Sequence, residues 1–247
     1  MSKAALVTGS SRGIGRAIAL RLLRDGCRVA LHFGHDGAAA ERALAEARRI
    51  DPDAFTLQAD VETADGCARL VREAQARLGR LDVLVNNVGP FEERPIGEVD
   101  DALWRKMLDG NLSSAFWCSR AALPAMRERR SGCIVNISAL NAEASPGMTH
   151  EAPAYFVAKT ALSMLTRTMA RAEGARGVRI NAVSPGFIET EAYAEWDPAE
   201  QKRWRDQIPL GRFGRPDEVA DAVSYLVSDR AAYVSGAILH VHGGLWV

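Results

Sequence analysis

The chain carries no excess charge of either sign. Lysine plus arginine and aspartate plus glutamate number 31 each, so no electrostatic case exists for nucleic acid or an anionic membrane surface as a partner. Long hydrophobic runs are also missing. No segment approaches the roughly twenty apolar residues of a membrane span. The first ten residues hold no apolar stretch with a cleavage site, so no signal peptide is read. Cysteine is scarce, and Cys27, Cys67, Cys118 and Cys133 stand too far apart for a CxxC metal knuckle. Buried free thiols in a reducing cytoplasm are the expectation, with no metal. Linkers, internal repeats and low-complexity tracts are absent too. The 247 residues are therefore expected to form one domain over 1–247.

What the chain does have is alternation. Short apolar runs read as strands at Ala4–Val7, Arg28–His32, Ala54–Gln58, Leu81–Val85, Cys133–Ile137, Val178–Val183 and Ile238–Val241. Between them lie amphipathic stretches with helical spacing: Arg16–Arg24, Gly37–Arg49, Ala64–Leu78, Asp101–Gly110 and on to Arg129, Tyr155–Ala172 and Pro216–Val227. Strands this apolar, separated by helices, belong in a parallel sheet covered on both faces. Right-handed crossovers then give an α/β, doubly wound order of seven strands. Two irregular stretches, 139–153 and 187–213, follow strands, and ligands in such a sheet lie at the carboxyl ends of strands.

The first of those ends carries Thr8-Gly9-Ser10-Ser11-Arg12-Gly13-Ile14-Gly15, followed by a helix. Glycines there let backbone approach a pyrophosphate, and the helix N-terminus offers N–H donors and a positive dipole end. The spacing is GxxxGxG, not the general GxGxxG fingerprint. At the end of the second strand an acid would grip the ribose hydroxyls of NAD. The sequence there is His32-Phe33-Gly34-His35-Asp36, with Phe33 in the acid's place. Arg12 offers a partner for a 2′-phosphate, assisted by His32 and His35. This favours NADP(H) over NAD(H), unless a shift of the loop brings Asp36 into the ribose site.

Tyr155 and Lys159 stand four residues apart in a helical stretch. That is about one turn, so they share a face. A fixed ammonium beside a phenol is expected to lower the phenol's pKa, giving a proton donor and acceptor usable near neutral pH. A packed tyrosine beside a solvated lysine is the plainer alternative.

Taken in order, Thr8 to Gly15, Asp60-Val61, Asn86-Asn87-Val88-Gly89, Asn111, Ser138, Tyr155 with Lys159, and Pro185-Gly186 resemble the short-chain dehydrogenase/reductase family over nearly the whole chain. The run Pro209 to Ala220 and the ending His240-Val241-His242-Gly243-Gly244 resemble its bacterial 3-oxoacyl-carrier-protein reductase branch. The resemblance implies a Rossmann-type fold and roles for single residues. Tyr155 would be the general acid and Lys159 its partner on the nicotinamide ribose. Ser138 would hold the substrate oxygen, and Asn111 would carry a water in a proton relay. Gly9, Ser11, Arg12, Gly13, Ile14 and Gly15 would cradle the cofactor. Asp60 and Val61 would contact its adenine, with Asn87 and Gly89 lining it, and Pro185, Gly186, Ile188 and Thr190 would hold its nicotinamide end. Hydride would come from the nicotinamide, leaving the protein to orient a carbonyl and supply a proton.

The resemblance further implies a homotetramer, or at least a dimer, built on the helices 101–129 and 155–172. The expected reaction is reduction of a carbonyl to a secondary alcohol, with a 3-oxoacyl thioester on acyl carrier protein as first choice of substrate. Free ketones, sugars or pterins are the alternative. A non-catalytic NADP-binding sensor is the reading from another class. Ser138 and Tyr155 are seventeen apart, a longer interval than in the reductases the chain resembles. The surplus falls at 144–151, beside the expected cleft. The stretch 187–213 is expected to form a helical lid, with Tyr193, Trp196 and Trp204 covering an apolar substrate or packing lid to body. Arg127, Arg129 and Arg130 end a helix, where they answer its dipole or meet an acidic carrier.

Overall fold

The structure, a computed structural model, describes residues 2–139, 151–193 and 196–245. Seven strands form one parallel sheet: β1 (Ala4–Val7), β2 (Arg28–Phe33), β3 (Phe55–Gln58), β4 (Val83–Asn86), β5 (Gly132–Ile137), β6 (Val178–Pro185) and β7 (Ile238–Val241), in the order β3-β2-β1-β4-β5-β6-β7. The order reverses at β1 and β4, and the crevice outside their carboxyl ends is where such a sheet takes its ligand. The strand carrying the glycine loop therefore stands at the switch point.

Strand residues alternate between the two faces, and the sequence supplies apolar side chains to both. Ala5, Val7, Val83, Val85, Cys133, Val135 and Val183 face one way and meet Ile18, Leu22, Val219 and Val223. These last come from α1 (Gly13–Arg24) and, later in the chain, α8 (Pro216–Val227). Ala4, Leu6, Leu84, Ile134 and Ile180 face the other way and meet Leu70, Ala74, Cys118, Ala122 and Met126, from α3 (Ala64–Leu78) and α5 (Ser114–Arg129). The helix α2 (Gly37–Arg48) packs Ala43 and Ala47 onto the first core. All four cysteines are free and buried. Burial pushes the thiols of Cys27 and Cys133 above their ordinary pKa.

Most element boundaries agree with the sequence pattern to within two residues; α1 begins three earlier, because the glycines Gly13 and Gly15 already wind into it. The expected helix from Asp101 to Arg129 is interrupted. α4 (Asp101–Leu108) passes into a π-type turn at Asp109–Ser113 before α5. That wider turn holds Asn111 fully buried. α6 (Pro153–Glu173) opens on a proline, which fits the first turn because its missing N–H is not needed there. α7 (Pro198–Arg205) lies within 187–213, after a 3₁₀ turn at Glu191–Tyr193. Among the described residues no helix is long and apolar enough to cross a membrane.

Candidate active site

At the nucleotide end, the loop after β1 is held by side chains as well as by backbone hydrogen bonds from Thr8 to Val85 and from Ser10 to His32. Gly9 and Gly13 take φ of 62° and 53°, a left-handed region that glycine enters without strain. A Cβ on Gly15 would lie 2.1 Å from the Gly9 carbonyl oxygen, so only glycine fits there. Thr8 Oγ1 accepts from the backbone N–H groups of Asn87 and Val88, at 2.9 and 3.2 Å. Asn87 Nδ2 donates to the carbonyls of Thr8 and Gly9, both at 3.0 Å. The loops after β1 and β4 are thereby locked to each other. α1 begins at Arg12 with no side-chain cap and no acid in its first turn, leaving helix N-terminal donors to an anion.

His32 is revealed as part of this scaffold. It is buried at the end of β2. Its Nδ1 accepts from the Gly9 N–H at 2.9 Å, and its Nε2 lies 3.1 Å from the Ala59 carbonyl. That pattern requires the neutral tautomer with the proton on Nε2. Burial pushes its pKa down to about 4. Both ring nitrogens are engaged, so His32 offers no donor to a 2′-phosphate; it ties the glycine loop to the segment after β3. Arg12 and His35 are exposed. Asp36 caps α2, its Oδ1 accepting from the Ala39 N–H at 2.9 Å, which holds it away from the ribose role that a loop shift would give it. Asp60 is exposed and Val61 is packed into the second core.

At the chemical end, the four residues singled out in the sequence converge from three elements. Ser138 follows β5, Tyr155 and Lys159 stand on α6, and Asn111 sits in the π-type turn. Lys159 Nζ donates to the Ile137 carbonyl at 2.8 Å and lies 5.7 Å from the centroid of the Tyr155 ring. Asn111 Nδ2 donates to the carbonyls of Pro90 and Met107, at 2.9 and 3.0 Å, while its Oδ1 is buried without a partner among the described residues. A Cβ placed on Gly89 would lie 2.5 Å from Asn111 Oδ1 and 2.8 Å from Lys159 Nζ. The amide oxygen and the ammonium thus flank one small space, and a buried unpaired acceptor beside a donor is where a water belongs.

The protonation balance differs from the sequence expectation. The Tyr155 phenol is pushed above its ordinary range, first by burial and then by the nearby Tyr193. Burial also pulls Lys159 down to about 7. From the protein's own groups, desolvation outweighs any stabilisation of phenolate by the ammonium, because both charged forms are buried together. Tyr193 itself is pushed up to about 12, by burial and then by the charge of Glu93.

The pattern just described has known counterparts. The family model described as enoyl-(acyl carrier protein) reductase matches residues 9–246. The chain is 37% identical to the 3-oxoacyl-[acyl-carrier-protein] reductase FabG of Staphylococcus aureus, over 100% of this chain and 99% of that protein. It is likewise 37% identical to the Pseudomonas aeruginosa protein of that name, over 99% and 98%. The chain belongs to the short-chain dehydrogenase/reductase family. Solved structures agree: a putative short-chain alcohol dehydrogenase from Sinorhizobium meliloti superposes with a TM-score of 0.93 at 35% identity, covering 99% of this chain and 97% of that one. Acetoin dehydrogenase YohF from Salmonella typhimurium superposes at 0.89 and 32%, covering 99% and 96%.

As a short-chain dehydrogenase/reductase the protein is an oxidoreductase, and its family implies a nicotinamide cofactor. The uncapped start of α1 and the left-handed glycines of the loop before it fit that group. The remaining predicted cofactor residues lie as follows. Pro185 ends β6, and the Gly186 N–H donates to the Val241 carbonyl at 2.9 Å. The Thr190 methyl stands 3.5 Å from where a Gly13 Cβ would be. The Ile188 side chain, by contrast, is packed in the first core, so only its backbone is free to face a ligand. Ser11 and Ile14 are half-buried on the glycine loop.

An aromatic cluster adjoins Tyr155. Phe91 meets its ring edge-on at 4.9 Å. Phe187, Trp204, Ile208, Phe213 and Leu245 form a buried cluster with Phe156, and Tyr193 and Trp196 pack against it. The rings of Tyr193 and Trp196 meet at 4.4 Å, tilted 60° to each other. Trp204 therefore packs against the body, while Tyr193 and Trp196 are only partly covered. The longer interval after Ser138 lies mostly outside the described residues, since 140–150 are not among them.

The basic end of α5 is tied down internally. Arg127 makes a two-point contact with the Glu173 carboxylate at 2.7 and 2.6 Å, and Arg129 and Arg130 donate to the carbonyls of Leu81 and Ala175. Sequence reasoning missed a buried polar ladder beneath the site. Asn86 Nδ2 donates to Asn136 Oδ1 at 2.8 Å, and Asn136 Nδ2 to Thr166 Oγ1 at 2.8 Å. Polar residues in strands as apolar as β4 and β5 were the available signal, because buried amides demand partners.

Proposed function

We propose that this enzyme uses NADP(H) to reduce a ketone to a secondary alcohol, with a 3-oxoacyl thioester on acyl carrier protein as the substrate. The observation that carries the chemistry is the convergence of Ser138, Tyr155, Lys159 and Asn111 at one end of the sheet. The nicotinamide nucleotide, when bound, supplies the hydride. Tyr155, protonated throughout the neutral range, donates its phenolic proton to the carbonyl oxygen as negative charge develops there. Ser138 holds the same oxygen by a hydrogen bond. Lys159 orients the ribose and, with Asn111 and a water between them, returns a proton to the tyrosine. Arg12 and His35 meet the 2′-phosphate. Phe33 leaves the end of β2 without an acid to compete for it.

The choice of an acyl thioester draws on the two FabG relatives. A small free ketone is the second reading. It is favoured by the relative named acetoin dehydrogenase and by the aromatic walls Phe91, Tyr193 and Trp196, which suit a compact apolar group. The enzyme then works as a cytoplasmic homotetramer, or dimer, with 187–213 acting as a lid.

A substrate panel tests this. Acyl-carrier thioesters and free ketones are offered side by side with NADPH and with NADH. Preference for NADPH and for the 3-oxoacyl thioester is expected. Turnover confined to free ketones transfers the assignment to the second reading, and no turnover of any carbonyl overturns both. In the same assay Tyr155→Phe should abolish turnover while NADPH binding is retained.

A further inference from the structure

Ser163 lies on α6, one turn beyond Lys159, and is fully buried. Its hydroxyl makes one hydrogen bond, at 3.0 Å to the hydroxyl of Ser138. Serines and threonines inside helices usually bond back to the carbonyl four residues earlier. Two neighbours on α6 do so: Thr166 donates to the Leu162 carbonyl at 2.8 Å and Thr168 to the Met164 carbonyl at 3.0 Å. Ser163 does not. The carbonyl that it would reach, that of Lys159, is approached instead by Ser138 Oγ, at 3.3 Å.

The proton count decides what this pair can do. Ser138 has one hydroxyl proton. To hold a substrate carbonyl it must donate that proton outward, and its long contact to the Lys159 carbonyl is the one it gives up. It then needs its lone pairs satisfied from behind, where both serines are buried. Ser163 is placed to donate there. A hydroxyl that accepts one hydrogen bond is a stronger donor of the next, since chained hydrogen bonds polarise one another.

We propose that Ser163 is a positioning residue, whose hydroxyl donates to Ser138 and thereby aims and strengthens the Ser138 hydrogen bond to the reacting carbonyl oxygen. The proposal rests on Ser138 holding that oxygen. The chain Ser163 to Ser138 to substrate runs beside the phenol, and it gains strength as charge grows on the oxygen. Its loss should therefore lower kcat, leaving cofactor affinity alone.

The test is a double-mutant cycle in the full-length enzyme, with steady-state turnover of whichever ketone the panel shows to be the better substrate. Ser163→Ala should lower kcat by about 3- to 10-fold, the worth of one hydrogen bond, with NADPH affinity unchanged. Ser163→Thr and Ser163→Val share one shape and differ by the hydroxyl. Thr should retain more kcat than Val by a similar factor, even where the extra methyl costs both some stability. In a Ser138→Ala background, Ser163→Ala should cost nothing further. Equal rates for Thr and Val, or an equal Ser163→Ala penalty in both backgrounds, would overturn the proposal. Full activity of Ser138→Ala alone would instead overturn the assignment of Ser138, and the proposal with it.

Discussion

Replacing Gly89 by alanine would put a carbon 2.5 Å from Asn111 Oδ1, 2.8 Å from Lys159 Nζ and 3.4 Å from Lys159 Cε. The backbone there tolerates alanine, because Gly89 is not among the residues with positive φ. The effect is therefore one of space. Neither neighbour yields freely: Asn111 Nδ2 is anchored on two carbonyls, and Lys159 Nζ on Ile137. Both must retreat by roughly half an ångström or more to reach ordinary contact, and the space between them is filled. Overpacking of this kind costs about 1–3 kcal/mol. For a domain of this size that lowers Tm by about 2–4 °C per kcal/mol. The rate should suffer more than the fold, since displacing a catalytic group by about 1 Å costs roughly 10²-fold. Gly132→Ala is the control. Its Cβ would lie 2.6 Å from Met126 Sδ, at the start of β5 and so at the opposite end of that strand from Ser138. Turnover is followed by NADPH oxidation well below either Tm. Gly89→Ala should lose about two orders of magnitude in kcat/KM, and Gly132→Ala should lose stability with kcat retained. Unaltered turnover in Gly89→Ala, or equal losses in both variants, would refute the placing of Lys159 and Asn111 as a proton-handling pair.

Arg12→Ala should weaken NADPH by about 10- to 100-fold, the range for a charged hydrogen bond, and NADH very little; titration of both nucleotides checks this, and equal weakening removes Arg12 from the 2′-phosphate. His32 titrates near 4 in the fold against an ordinary 6.5. Between those values the unfolded chain binds a proton that the folded chain refuses, so stability falls as pH drops from 6.5 to 4. The loss is on the order of 3 kcal/mol. His32→Asn should lack that component, and the two melting curves should draw together at acid pH; a constant gap would mean that His32 is not held neutral. Lys159, pulled down from 10.5 to about 7, works in the same sense at higher pH. Its burial penalty is full below pH 7 and gone above 10.5. Lys159→Met should therefore be an inactive but stabilised variant, with a Tm advantage that shrinks steadily as pH rises through that window.

Part of the candidate site was legible because its residues are marked by backbone geometry and local spacing. The glycines after β1 are marked by the strand before them and the helix behind, and a tyrosine and lysine one helical turn apart share a face in any helix. What escaped depends on groups far apart in sequence. His32 reads as a polar residue near a cofactor, yet its two ring nitrogens are claimed by Gly9 and Ala59, which no spacing discloses. Ile188 falls beside Pro185 and Gly186 in the chain, but beyond the end of β6 an isolated bridge to Gly214 sets its backbone, and its side chain packs into the core. Asp36 stands close to the end of β2 in the chain, which is why it reads as a rival for the ribose, and the N-terminus of α2 takes it.

The sequence by itself determined the parallel seven-stranded sheet and the glycine turn, and it nominated Tyr155 and Lys159 as a pair on one helix face. Each of these follows from local periodicity or from a residue type that alone suits its backbone. The tertiary structure alone decided how protons are distributed. Whether Tyr155 is eased or resisted in losing its proton depends on how much water is excluded around it and Lys159 together, and which serine backs Ser138 depends on where α6 crosses the end of β5. Those are properties of surfaces brought into contact, and they do not exist until the chain has folded.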